Sequence, residues 1–187
     1  MTKITRHKRR RRSIRLREYD YSMSGAYFVT ICIDGGRCLL GDIINGQMHE
    51  SPAGSKIRNC WQTLPDRFVG VDIDSAIVMP NHIHGIIFLE VGDSTQTSSS
   101  PSENRAATRA APTLGDTIGA FKSISTNGYL CGIRDGCWPA FETRLWQRNY
   151  WERIIRNERE LKAIRHYIWD NPANWKKDKL YTVSRLR

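Results

Sequence analysis

The 187-residue sequence has no apolar run of 18 residues, so no segment of it reads as a transmembrane helix. Its N-terminus lacks the apolar stretch and small-residue cleavage site of a secretory signal, which points to a cytoplasmic protein without a membrane partner. Cysteine is sparse: five residues, at 32, 38, 60, 131 and 137, with no Cys-x-x-Cys among them. An odd number without ribbon spacing argues against a disulfide framework or zinc ribbon and fits a reducing compartment. Acidic side chains are missing altogether from the first 17 positions.

That last absence shapes the charge distribution. Residues 1–17 hold nine basic side chains, five of them consecutive (Lys8, Arg9, Arg10, Arg11, Arg12), while 144–187 holds twelve basic against five acidic. The middle, 18–143, is net acidic, so the formal charge of +10 resides at the two ends. A polyphosphate partner accounts for this simply, because each neutralised phosphate releases condensed counterions. A solvated basic arm, unfolded when free, has the same composition. The expected organisation is a flexible arm over 1–17, one domain over 18–175 and a basic tail over 176–187. A mobile loop interrupts the domain at 92–112, where five Ser, three Thr, four Ala and two Pro occur.

Between these segments the elements are legible. Residues 26–33 (AYFVTICI) predict a strand; Asp34-Gly35-Gly36 predicts a turn into a second, shorter strand at Cys38–Ile44. Pro52 to Leu64 reads as a helix closed by Pro65. Val71–Met79 and His82–Glu90 read as strands joined by Pro80-Asn81, and Thr113–Thr126 as a helix. Glycines and Pro139 break up 129–149, in which Thr143–Gln147 could be a strand. Asn157–Asn171 is a helix opened by a capping-box pattern, Asn157 with Glu160, and stopped by Pro172. The order argues for an α+β fold: a mainly antiparallel sheet with helices packed on one face.

Two constellations carry chemistry. In Met79-Pro80-Asn81-His82-Ile83-His84-Gly85, strand alternation sends His82 and His84 to one side, their Cα atoms about 6.5–7 Å apart. Two imidazoles so placed can converge on one divalent cation, with Ile83, Ile87 and Leu89 entering the core opposite. Two polar residues on a solvated strand face give the same pattern. In the last helix Leu161, Ile164 and Ile168 make the buried stripe, with Tyr167 and Asn171 together on its flank, four apart. Ordinary amphipathic packing would also produce that arrangement. His166 points away from Tyr167 around the helix.

The combination is more specific than either part. Pro80-Asn81-His82-Ile83-His84 on a strand, followed by Tyr167-Ile168-x-x-Asn171-Pro172 on a helix, resembles the HUH single-tyrosine transposases, above all their REP-associated branch. Gly25–Ile33 with Gly35-Gly36-Arg37, and Trp146–Ile155, are similar to further segments of that family, so the likeness spans most of 19–175. It implies a ferredoxin-like HUH palm that cuts single-stranded DNA beside a hairpin through a 5′-phosphotyrosine. His82 and His84 would then be metal ligands, Asn171 would complete a Mg²⁺ or Mn²⁺ site, and Tyr167 would be the nucleophile. Relatives act as monomers or homodimers, with the tyrosine serving its own site or a partner's.

DNA contacts are expected from Arg9, Arg10, Arg11, Arg12, Arg148, Arg153, Arg156 and Lys176, and from Trp146, Trp151, Trp169 and Trp175 stacking on unpaired bases. At least half of the six tryptophans should nonetheless be core. Gly85 departs from the aliphatic residue of many relatives and leaves a cavity or admits a neighbour. Tyr129 and Tyr150 are alternative nucleophiles without an amide four residues on. A catalytically silent nucleic-acid-binding domain is one rival reading. A His-x-His-x-His nucleotide hydrolase is another, weakened because position 86 is Ile.

Overall fold

The structure, a computed structural model, describes residues 24–90 and 112–182. The expected arm at 1–17, with Arg9 to Arg12, and nearly all of the 92–112 loop lie outside the described residues. No helix among the described residues is long and apolar enough to cross a membrane.

Four strands form the main sheet: β1 (Gly25–Cys32), β4 (Val71–Met79), β5 (His82–Leu89) and β6 (Trp151–Ile155), in the order β4-β5-β1-β6. Every neighbouring pair is antiparallel, and β1 lies between β5 and β6. Alternation along β1 divides its side chains. Tyr27, Val29 and Ile31 enter one core with Ile83 and Leu89 of β5, and Phe28 faces the other way with Ile86.

The helices divide accordingly, which corrects the expectation of a single helical face. Helices α1 (Pro52–Gln62) and α3 (Leu114–Arg134) pack on the first face through Ile57, Trp61, Ile118, Phe121 and Tyr129. Helix α4 (Glu158–Asp170) covers the second, with Leu161, Ile164 and Ile168 against Ile86, Ile155 and Phe28. Both faces of this sheet are apolar over part of their area, and each needs a covering layer. The α+β, ferredoxin-like architecture stands, with α4 alone on the face that carries the histidines.

Other boundaries moved for local reasons. The second strand is shorter than expected (β2, Gly41–Ile44) and pairs with β3 (Gln47–Glu50), not with β1, whose two edges are already taken. Asn45 and Gly46 link them with φ of 52° and 76°, the two left-handed residues of a tight hairpin turn. Helix α1 ends at Gln62, and Pro65, expected to close it, instead sits in the first turn of the short α2 (Leu64–Arg67).

Helix α3 continues to Arg134 through Gly128 and Gly132. Gly132 is a packing residue there: a Cβ would fall 2.2 Å from the Trp138 ring. Thr143–Gln147 contributes only a single bridge, Ile33 to Trp146, and the sixth strand lies further on, where the sequence showed none. At the start of α4 Asn157 accepts from the Glu160 amide, but the Glu160 carboxylate caps the Arg156 amide instead of closing a box.

Gly85 admits a neighbour. A Cβ there would lie 2.3 Å from Cζ2 of fully buried Trp61, so the indole lies directly on the β5 backbone. Gly85→Ala should destabilise the protein by about 1–3 kcal/mol through overpacking. Gly119, mid-helix with nothing within 4 Å of a built Cβ, is the matched control. There alanine should stabilise by about 0.5–1 kcal/mol; urea melts of the two variants check both signs.

Candidate metal and tyrosine site

The β1–β5 register sets His84 opposite Thr30 and His82 opposite Cys32, with both imidazoles on the α4 face. Thr30 Oγ1 lies 2.8 Å from His84 Nδ1. Asn81 Oδ1 lies 2.8 Å from His82 Nδ1, while its Nδ2 faces Leu180 O at 2.8 Å and Gly36 O and Thr182 Oγ1 at 3.2 Å. Those acceptors orient the amide with its oxygen toward the ring. His82 Nδ1 therefore carries the hydrogen and Nε2 a lone pair. Thr30, which can donate or accept, allows either tautomer at His84.

The two Nε2 atoms stand 3.0 Å apart. Adjacent ligands of an octahedral ion at roughly 2.1 Å are separated by about the same distance. Both rings are buried, and desolvation pushes the pKa of each down to about 3, with the neighbouring His82 adding to the effect on His84. They are therefore neutral at physiological pH, the form that ligates metals.

Helix α4 delivers Tyr167 to this pair. Its hydroxyl is 3.4 Å from His84 Nε2, and its ring meets Phe28 edge-on. Burial raises the phenol's pKa, the Asp178 charge raises it further, and the nearby Asn171 amide acts against both. Asn171 caps α4, is 4% exposed, and its Oδ1 is buried without a hydrogen-bond partner. Asn171 thus brings an orphaned carbonyl oxygen to the cleft that His84 also lines, and amide oxygens and imidazole nitrogens are both donor types that divalent cations take.

Asp178 joins them: one ligand atom from each of His82, His84 and Asp178 lies within 4.8 Å of the others. Asp178 was missed in the sequence, where it is a single acid inside Lys176-Lys177-Asp178-Lys179; that isolation was its one signal. Thr30 was likewise legible only through strand register. A cleft of about 580 Å³ opens over the group, lined by Thr30, His84, Trp151, Tyr167, Asn171 and Lys177 among others.

The angle of α4 is fixed from outside the cleft. Between Ile73 and Ala76 β4 shifts register, and Asp74 at that bulge receives Arg165 of α4, with Nε 3.1 Å from both carboxylate oxygens and Nη2 2.5 Å from Oδ2. His166 points to solvent and pairs with Asp170. Ile86, at the missing third histidine position, is fully buried under α4. Tyr129 is buried and donates to Pro139 O, and Tyr150 sits under the Lys122 ammonium, so neither enters the cleft.

Of the expected DNA contacts, Arg148, Arg153, Arg156 and Lys176 are exposed, although Arg153 pairs with Glu160. Trp151 and Trp169 are 55% and 83% exposed. Trp146 and Trp175 are buried and unavailable for stacking, which corrects that part of the expectation. Trp146 packs on Phe121 and Trp175 lies over His82.

No protein-family model matches the chain. An uncharacterized protein of Haemophilus influenzae is 39% identical over 172 residues, spanning 91% of this chain and 93% of that one. Among solved structures, a REP-associated tyrosine transposase bound to a REP hairpin matches with a TM-score of 0.56 at 21% identity, covering 86% of this chain and 73% of that chain. At that identity the match establishes a shared fold.

The clamp on α4 has a pH signature. The Arg165 guanidinium holds the Asp74 carboxyl below its ordinary value of 3.8. A lowered carboxyl pKa adds stability that is complete above 3.8 and disappears as pH falls through the lower folded value. The melting temperature of Asp74→Asn should therefore lie below wild type at pH 7 and converge with it in strong acid, as followed by circular dichroism across pH 2–7.

Proposed function

We propose a function from one premise: the chain belongs to the same family as the Haemophilus influenzae protein, and its fold is that of the REP-associated tyrosine transposases. It is a metal-dependent nuclease and strand transferase that cuts single-stranded DNA near a hairpin. The observation that carries this reading is the Tyr167 hydroxyl standing 3.4 Å from one of two buried imidazoles whose Nε2 atoms converge to 3.0 Å.

His82, His84 and Asn171 would hold a divalent cation such as Mg²⁺ or Mn²⁺, with Asp178 able to supply a carboxylate. When bound, that cation would supply Lewis-acid polarisation of the scissile phosphate and positive charge near the departing 3′-oxygen.

The chain's own residues account for the rest. Tyr167 is the nucleophile: its phenolic oxygen bonds to phosphorus as the phosphorus–3′-oxygen bond breaks. The phenol loses its proton and the released 3′-oxygen gains one. A phenol is a weak nucleophile at neutral pH, and burial with the Asp178 charge weakens it further, so the attack depends on positive charge in the cleft. The Asn171 amide opposes that penalty. Phe28 holds the phenol ring edge-on, and the Asp74–Arg165 clamp fixes the helix that carries it. The phosphotyrosine ester conserves the energy of the broken phosphodiester, so a 3′-hydroxyl can reverse the step and join strands without ATP. Exposed Trp151 at the cleft offers a stacking surface for an unpaired base.

The test is a denaturing gel of the full chain incubated with hairpin-bearing single strands and Mg²⁺ or Mn²⁺. Wild type should form a covalent protein–oligonucleotide band that chelator abolishes and that Tyr167→Phe lacks. His84→Ala should lower its yield at least about 100-fold, and Asn171→Ala should weaken Mn²⁺ binding, read by titration calorimetry, at least roughly tenfold. Retained DNA binding with no covalent band under any metal would leave a silent binding domain instead.

A further inference from the structure

A second cavity, of about 570 Å³, opens on the other side of the 174–181 segment, between it and the β2–β3 hairpin. Ile43 and Pro172 give it apolar walls, and Tyr181 adds an aromatic ring, 39% exposed and braced edge-on against buried Trp175 at 5.3 Å between centroids. Asp42 contributes an exposed carboxylate, and Lys176 and Lys177 contribute two ammonium groups. Neither lysine has an ion-pair partner among the described residues. Asn174 and Lys177 line this cavity and the Tyr167 cleft alike, so one strand can occupy both without leaving the protein.

We propose that this cavity receives one unpaired base of single-stranded DNA, next to the phosphate held in the Tyr167 cleft, and selects bases that carry an exocyclic amino group. The proposal deepens the nuclease reading and rests on it. A ring braced from behind and two free cations beside it are the components that bind single strands by stacking and phosphate neutralisation. Flat apolar walls accept any base, so discrimination falls to the polar group among them. A carboxylate only accepts hydrogen bonds: it suits the exocyclic amino groups of cytosine, adenine and guanine, whereas thymine offers a single N3–H set between two carbonyl oxygens that repel the carboxylate. Lys177, shared by the two cavities, stands where the intervening phosphate passes.

The experiment uses the full chain carrying Tyr167→Phe, so that binding is read without covalent trapping. Fluorescence anisotropy follows hairpin oligonucleotides whose single-stranded flank carries an abasic site walked one position at a time. One position should weaken binding about tenfold, and that penalty should vanish in a Tyr181→Ala background. At the same position thymine should bind several-fold more weakly than cytosine or adenine. Asp42→Asn, a change at an exposed site that adds a donor, should remove that discrimination while leaving the melting temperature unchanged. Lys176→Ala and Lys177→Ala should each lower the salt dependence of binding by about one unit of log–log slope.

Equal binding of all four bases, or an abasic penalty indifferent to Tyr181 and Asp42, overturns the pocket. The covalent gel separates this from the nuclease reading. A phosphotyrosine band with no Tyr181 or Asp42 effect removes the pocket alone. A base preference that depends on Asp42, with no band, upholds the pocket and removes the nuclease.

Discussion

The candidate site depends on how α4 is fastened across the histidine-bearing face of the sheet. Its apolar stripe, Leu161, Ile164 and Ile168, fits over Ile86, Ile155 and Phe28, and its polar flank is pinned by Arg165 on Asp74 at the bulge of β4. The stripe sets the height of the helix above the sheet, and the ion pair sets its rotation. Tyr167, one residue before Ile168 and two after Arg165, is thereby left with little choice of direction. A rotation of one residue would carry the hydroxyl about 100° around the helix axis and out of reach of His84.

The histidines are held just as tightly, by different means. Strand pairing places Thr30 beside His84, and the turn before β5 places Asn81 beside His82, so each ring has its Nδ1 engaged and its Nε2 turned inward. Burial keeps both rings neutral. The cost of enclosing so many polar atoms falls on Asn171, whose oxygen has no partner, and a cation would relieve it. Gly85 serves the same arrangement from the opposite face: with no side chain there, Trp61 seats against the strand that carries both rings.

Residues 174–182 connect the two cavities. Asn81 reaches Leu180 and Thr182 with the same amide that orients His82, so the chain beyond α4 is tied to the ligand strand itself. Asp178 and Lys177 enter the Tyr167 cleft from this segment, and Tyr181 and Lys176 enter the neighbouring cavity. One short stretch of chain thus supplies both places with charge and shape.

Local pattern alone determined a good deal. Alternation put His82 and His84 on one side of a strand with Ile83, Ile87 and Leu89 on the other, and helical spacing set Tyr167 beside Asn171 on the flank of a buried stripe; both depend only on backbone periods of 2 and 3.6 residues. The Asn45-Gly46 turn was equally local and could have been read. What tertiary structure decided were the relations between distant segments. Which strands flank β1, which face α4 covers and which tryptophans face solvent all depend on where apolar surface remains after other elements have packed. Asp178, Thr30 and Arg165 belong to that second class. Their importance comes from side chains 54 to 96 positions away along the chain, brought within a few ångströms by the closing of the sheet and the docking of one helix.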